Sequence, residues 1–194
     1  MPPRASHWKR LGLGALGLLA AGWLFGLLTF VRADGHFQAS LPRRRSPPAG
    51  THNLALWDQG PTVRASSYFG DWQSPHHPLF LVDGRESPEL IEKWASAERD
   101  QHPWIEILWR EPRHLERVVL RHAGSLEAAS MTARTYHIEC LLDAGRGPKV
   151  DVYSNDAAVA EHPLPCDRAR GVRIRFDRDG GDIVRLFEVE AWGR

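Results

Sequence analysis

Trp104-Ile105-Glu106-Ile107-Leu108-Trp109 and, near the far end of the chain, Val172-Arg173-Ile174-Arg175-Phe176 decide how this sequence folds. The first is apolar at nearly every position and predicts a strand with both faces largely buried. The second alternates apolar residues with Arg and predicts a half-buried strand. Arg117-Val118-Val119-Leu120-Arg121 is a further strand, and Tyr136, Ile138, Cys140 and Leu142 share one face by strict alternation. Val150 with Val152, and Leu186-Phe187-Glu188-Val189-Glu190-Ala191-Trp192, complete the set. Turn signals such as Asp143-Ala144-Gly145 and Asp179-Gly180-Gly181 separate them. No long amphipathic helix competes, and residues 88–94 hold at most a short helical turn. Short strands at this spacing predict an all-β sandwich or jelly roll over residues 51–194.

The 194 residues leave room for one ordinary domain and an appendage. A formal charge of +1 gives no electrostatic footprint for nucleic acid, so no nucleic-acid partner is expected. Eight Trp and three Tyr supply rings for a β core or for ligand platforms. The 14 Pro and 17 Gly suit a loop-rich fold better than a helical bundle. Cys140 and Cys166 are the two cysteines, and without a Cys-x-x-Cys pair they build no thiolate zinc site. Their spacing fits a disulfide in an oxidising compartment and fits two separately buried thiols equally.

Ahead of the domain, residues 11–31 form an apolar run whose only polar side chain is Thr29. About 20 residues at about 1.5 Å each match a hydrocarbon core of about 30 Å, so one transmembrane helix is expected. Arg4, Lys9 and Arg10 precede it, as for residues 1–10 kept in the cytoplasm. Arg32, Arg43, Arg44 and Arg45 follow it against a single acid, Asp34, so charge alone leaves the orientation open. A cleaved signal peptide ending near Val31-Arg32-Ala33 is the rival reading. The run exceeds the usual length of a signal-peptide core, which favours an uncleaved signal anchor. Either way the folded part is expected outside the cytoplasm, periplasmic or extracellular. Gly22-x-x-x-Gly26 offers a face on which the helix of a partner membrane protein could pack. Residues 32–50, with Pro42, Pro47 and Pro48, read as an extended Pro/Arg linker.

Several segments of the domain, in order, carry a resemblance. Asn53-Leu54-Ala55 is followed by Val63-Arg64-Ala65-Ser66-Ser67-Tyr68-Phe69, then Leu81-Val82-Asp83-Gly84 and Trp94-Ala95-Ser96. Pro103-Trp104-Ile105-Glu106-Ile107, Ala169-Arg170-Gly171-Val172-Arg173-Ile174 and Glu188-Val189-Glu190-Ala191-Trp192-Gly193 continue the pattern. Together they resemble the discoidin family, the C-type domains of coagulation factors five and eight, over about residues 51–193. The resemblance implies an eight-stranded, galactose-binding-like jelly roll whose loops at one end bind carbohydrate, anionic phospholipid or protein.

It also implies site residues. Asp83 and Glu188 match the family's acidic positions for a structural calcium ion, with carbonyls of residues 84–87 completing an oxygen shell. The gap from Arg85 to Trp94 is longer than the family pattern, and an Arg85–Glu188 ion pair is the alternative occupant. The segment Tyr68-Phe69-Gly70-Asp71-Trp72-Gln73-Ser74-Pro75-His76-His77 matches the family's ligand loop. Tyr68, Phe69, Trp72, His76 and His77 are therefore ligand candidates, with Tyr68 leaning toward the core. Adjacent residues on an extended segment face opposite ways, so His76 and His77 are not a chelating pair. Arg134, which can fork onto hydroxyls or carboxylates, joins them, with Arg121-His122 and residues 179–182 as further loop-end candidates.

No nucleophile elbow, phosphate-cradling loop or His-Glu-x-x-His motif occurs, and Glu188 and Glu190 lie on a strand rather than across a cleft. The expectation is a membrane-anchored module without catalytic activity, recognising carbohydrate or envelope polysaccharide. The alternatives are an accessory subunit of a membrane complex, for example in polysaccharide synthesis or export, and a binder of phospholipid headgroups.

Overall fold

The computed structural model describes residues 49–86, 91–178 and 182–194. The apolar run 11–31 with Gly22 and Gly26, the linker up to residue 48, residues 88–90 of the short helical turn and the 179–181 turn lie outside them. Among the described residues no helix is long and apolar enough to cross a membrane.

Eight strands form the domain: β1 (His52–Asn53), β2 (Thr62–Ala65), β3 (Trp94–Ala95), β4 (Trp104–His122), β5 (Thr135–Leu141), β6 (Arg146–Val152), β7 (Val159–Asp177) and β8 (Arg185–Gly193). All pairings are antiparallel. The predicted strands Trp104–Trp109 and Arg117–Arg121 prove to be two arms of one strand, β4. Its first arm pairs with β2 and with the last part of β7, which continues through β5 to β6. Its second arm pairs with β8 and with the first part of β7. The two long strands thus run through both layers, and the register slips between Leu108 and Arg117 where they turn from one to the other. Gly171 sits opposite Leu108 at that bend, and a Cβ there would lie 2.5 Å from the Ile107 carbonyl oxygen. Only glycine allows so close an approach. The result is an eight-stranded, all-β jelly-roll sandwich.

The first arm of β7 reads poorly as a strand because Pro163 and Pro165 interrupt it. It pairs on one side only, so the missing N–H groups break no ladder. Alternation places Tyr136, Ile138 and Cys140 of β5 inward against Leu115, Val118 and Leu120 of β4 and Leu164 and Cys166 of β7. Cys140 and Cys166 are joined in a disulfide that ties one layer to the other. Closing a 26-residue separation this way stabilises by about 3 kcal/mol, chiefly by restricting the unfolded chain. Trp94 and Trp109 are buried, with their indole N–H groups donating to the Ser67 and Leu54 carbonyls at 2.9 and 2.8 Å.

Because β4 and β7 double back, both ends of each strand reach the same end of the sandwich. His122 at the close of β4 packs on Tyr136 of the opposite layer with ring centroids 5.6 Å apart. The Tyr136 hydroxyl lies 2.8 Å from Nε2 of His162, and burial raises the phenol's pKa and lowers that of His162. The loops joining β2 to β3, β3 to β4, β4 to β5, β6 to β7 and β7 to β8 all gather at this end. Asp100 organises two of them. It accepts hydrogen bonds from the Ser66 and Ser67 hydroxyls and from the His102 N–H. Burial works against its charge, yet the two hydroxyls, the His102 N–H and the Arg178 charge together outweigh it and hold the carboxyl below its ordinary range. Ser66 and Ser67 in turn accept from the Trp104 and Ala97 N–H groups at 3.0 and 3.1 Å.

Two measurements test this account. Asp100→Ala strands two serine hydroxyls and should cost about 2 kcal/mol in chemical denaturation; a loss well under half of that contradicts the organising role. His122 is fully buried with both ring nitrogens unpartnered, and burial lowers its pKa from 6.5 to about 4. Below 6.5 the unfolded chain takes up a proton that the folded one refuses, so stability is full above 6.5 and falls as pH drops toward 4. His122→Leu should flatten that portion of the Tm–pH curve, and an unchanged slope refutes the assignment.

Candidate functional site at the loop end

The segment between β2 and β3 is pinned from inside. The Phe69 N–H donates to the Ala95 carbonyl at 2.8 Å, and the Lys93 N–H to the Pro75 carbonyl at 3.0 Å. At its tip the Asp71 side chain accepts from the Gln73 N–H at 3.0 Å, while the Ser74 N–H reaches the Asp71 carbonyl at 2.9 Å. Ser74 Oγ then donates to the Phe69 carbonyl at 2.6 Å and accepts from the His76 N–H at 3.2 Å. Side-chain bonds of this kind give a short loop a turn-like backbone of its own. Trp72 stands on this turn with its side chain out, 77% exposed.

The sequence-predicted residues separate into groups. Phe69 is 41% exposed and meets His76 edge-on at 5.7 Å, so these two belong to one surface, on the same loop as Trp72. His76 is half-buried, and burial, then the nearby Lys93 charge, lowers its pKa. Tyr68 leans inward against the core and meets His77 edge-on at 5.0 Å. His77 caps the 3-10 turn Pro78–Leu81, its Nδ1 accepting from the Leu79 N–H at 3.2 Å. Arg134 is exposed across the loop end. It lines a shallow groove with Met131, Thr132, Asp177, Asp182 and Ile183.

Between these areas stand residues that the sequence did not single out. Lys93 is 7% exposed, pairs with Glu127 at 2.7 Å and lies 5.3 Å from the Phe187 ring centre. Arg185 pairs with Asp182 at 2.9 Å and holds that carboxyl low. No local pattern announces Lys93, because its partner Glu127 comes from another loop. Arg121 and His122, expected near the ligand, are both buried. Arg121 donates to Glu190 at 2.7 Å and to Glu86 at 3.0 Å, which makes it a structural ion pair beneath the loops.

Glu188 reaches the turn that follows Asp83. Gly84, at φ 73°, directs its N–H at both Glu188 oxygens at 3.2 and 3.3 Å. Asp83 accepts from the Arg85 N–H at 2.9 Å, and burial raises its pKa. These are hard oxygen donors of the kind calcium takes, although no cluster of three or more His, Cys, Asp or Glu suited to a metal occurs among the described residues. Glu190 serves Arg121 and the Trp192 indole rather than sharing a cleft with Glu188.

No protein-family model matches the chain, and no curated protein does either. Solved structures do. Chitosan-binding module 1 from a chitosanase/glucanase of Paenibacillus sp. IK-5 is 28% identical, with 73% of this chain and 99% of that one covered and a TM-score of 0.56. A fucose-binding module of Streptococcus pneumoniae is 21% identical over 72% of this chain and 96% of that one, with a TM-score of 0.57. The family 32 carbohydrate-binding module from Streptococcus pneumoniae EndoD is 19% identical over 74% of this chain and 100% of that one, at a TM-score of 0.56. These are binding modules, in accord with the expectation that the chain is not an enzyme. The domain shares its all-β jelly-roll fold with these carbohydrate-binding modules.

Proposed function

We propose that the chain is a non-catalytic carbohydrate-binding module that takes its sugar at the loop end, on Trp72. In this reading residues 11–31 hold it to a membrane, with the domain outside the cytoplasm. The observation that carries the proposal is the contrast at Trp72, a fixed backbone beneath a ring left 77% exposed. A pre-ordered aromatic face loses little entropy on binding, and it suits a partner whose own surface is part apolar and part hydroxyl, as a sugar ring is. Phe69 and His76 extend that surface, and Arg134 supplies a forked donor across the groove. The likeness to chitosan- and fucose-binding modules supports the ligand class. The Cys140–Cys166 bond supports an oxidising compartment.

Calcium belongs to the proposal as a structural ion at Asp83 and Glu188. It would fix the turn after the 3-10 segment Pro78–Leu81 against β8 without touching the sugar. Its test is thermal melting: a rise in Tm with calcium that Asp83→Ala abolishes supports it, and identical curves in calcium and in chelator remove it.

A glycan array probed with the full-length chain tests the main reading. Trp72→Ala should weaken the best glycan about thirtyfold with Tm unchanged, as for a central aromatic contact. Undiminished binding in that variant overturns the role of Trp72. No glycan binding, with co-purification of a membrane protein that depends on Gly22 and Gly26, replaces the proposal with an accessory-subunit role. Flotation of residues 51–194 with anionic vesicles replaces it with lipid binding.

A further inference from the structure

Beside the loop end, the outer face of the five-stranded layer carries charged side chains in two cross-strand rows. In one, Trp104 of β4, Arg175 of β7, His137 of β5 and Asp151 of β6 stand opposite one another. In the other, Arg64 of β2 is followed by Glu106, Arg173, Glu139 and Lys149. A shallow groove runs over β5, β6 and β7 between the rows.

The acids on this face are all engaged. Glu106 pairs with Arg173, Glu139 with Arg146 at 3.4 Å, and Asp151 with Lys149 at 2.9 Å. His137 bridges Asp151 and Asp177 at 2.6 and 3.2 Å. The cations are not all engaged. Arg175 and Arg64 are exposed, and neither has an ion-pair partner among the described residues. Planar rings stand at both margins of the Arg175 row. Trp104 lies under the Arg173 guanidinium at 5.5 Å, and Tyr153, 69% exposed, meets His137 edge-on at 6.0 Å.

We infer that this face is a second binding site, taking a polyanionic polysaccharide laid across the strands with the Arg175 guanidinium forked onto a carboxylate or sulfate group. Strands about 4.8 Å apart make the row from β4 to β6 about 14 Å long, so the ligand is an extended chain rather than a single sugar. The unmatched guanidiniums select negative charge and can bind it through two parallel hydrogen bonds. The rings at the margins accept the flat faces of the sugars. The site lies apart from Trp72 and does not depend on the loop end binding anything.

The test measures affinity of the full-length chain for polygalacturonate and for dextran sulfate, with neutral dextran as control, at low and high salt. Polygalacturonate reports a carboxylate and dextran sulfate a sulfate, and binding to either supports the site. That binding should weaken with salt. It should fall at least about tenfold in an Arg64→Ala, Arg175→Ala double variant, since one charge-assisted contact alone is worth about that much, and stay unchanged in Trp72→Ala. The inference is overturned if neither polyanion binds or if the double variant binds as well as the native chain. Displacement by polyglutamate at equal charge overturns it as well, since the attraction would then have no preference for sugar.

Discussion

Two strands that each serve both layers are the constraint on which the rest of this domain depends. β4 and β7 stay hydrogen-bonded to one another through the bend, so the two sheets cannot slide independently. The register slips between Leu108 and Arg117 absorb the change of direction, and Gly171 lets the backbones close up there. Bulges of this sort increase the local twist and redirect a strand without ending it. The Cys140–Cys166 bond then fixes β5 to the first arm of β7, holding the layers together covalently. Folding β4 and β7 back on themselves also brings five connecting loops to one end.

At that end, polar groups replace an apolar core as the source of order. Asp100 gathers Ser66, Ser67 and His102, Glu188 receives Gly84, and Arg121 links Glu86 to Glu190. Buried charges of this kind persist only when their hydrogen-bonding capacity is met, and these bonds tie loops to one another and to β8. The loops are therefore fixed relative to one another, which leaves Trp72 exposed on a backbone that does not need a ligand to hold its shape.

Much of the fold was legible because alternation is a local signal. Tyr136, Ile138 and Cys140, and the Arg-interleaved Val172-Arg173-Ile174, point where their period says they must. The first arm of β7 was not, since Pro163 and Pro165 mask a strand whose free edge tolerates them. Nor did the sequence indicate that residues 104–109 and 117–121 are one strand, because the residues between them bend rather than turn. At the site, Phe69, Trp72 and His76 could be named from a motif. The burial of Arg121 and the placing of Lys93 between loops depend on residues far away in the chain, and no short window contains them.

The prolines bear on what happens when many copies are crowded together. Pro148 lies in β6, the outermost strand of one layer, beside the exposed Lys149, and Pro163 with Pro165 lies in the outermost arm of the other. A rim that lacks donors and carries charge gives an incoming strand little to zip onto. Dense arrays of this module should remain collections of separate molecules rather than merge into a continuous sheet.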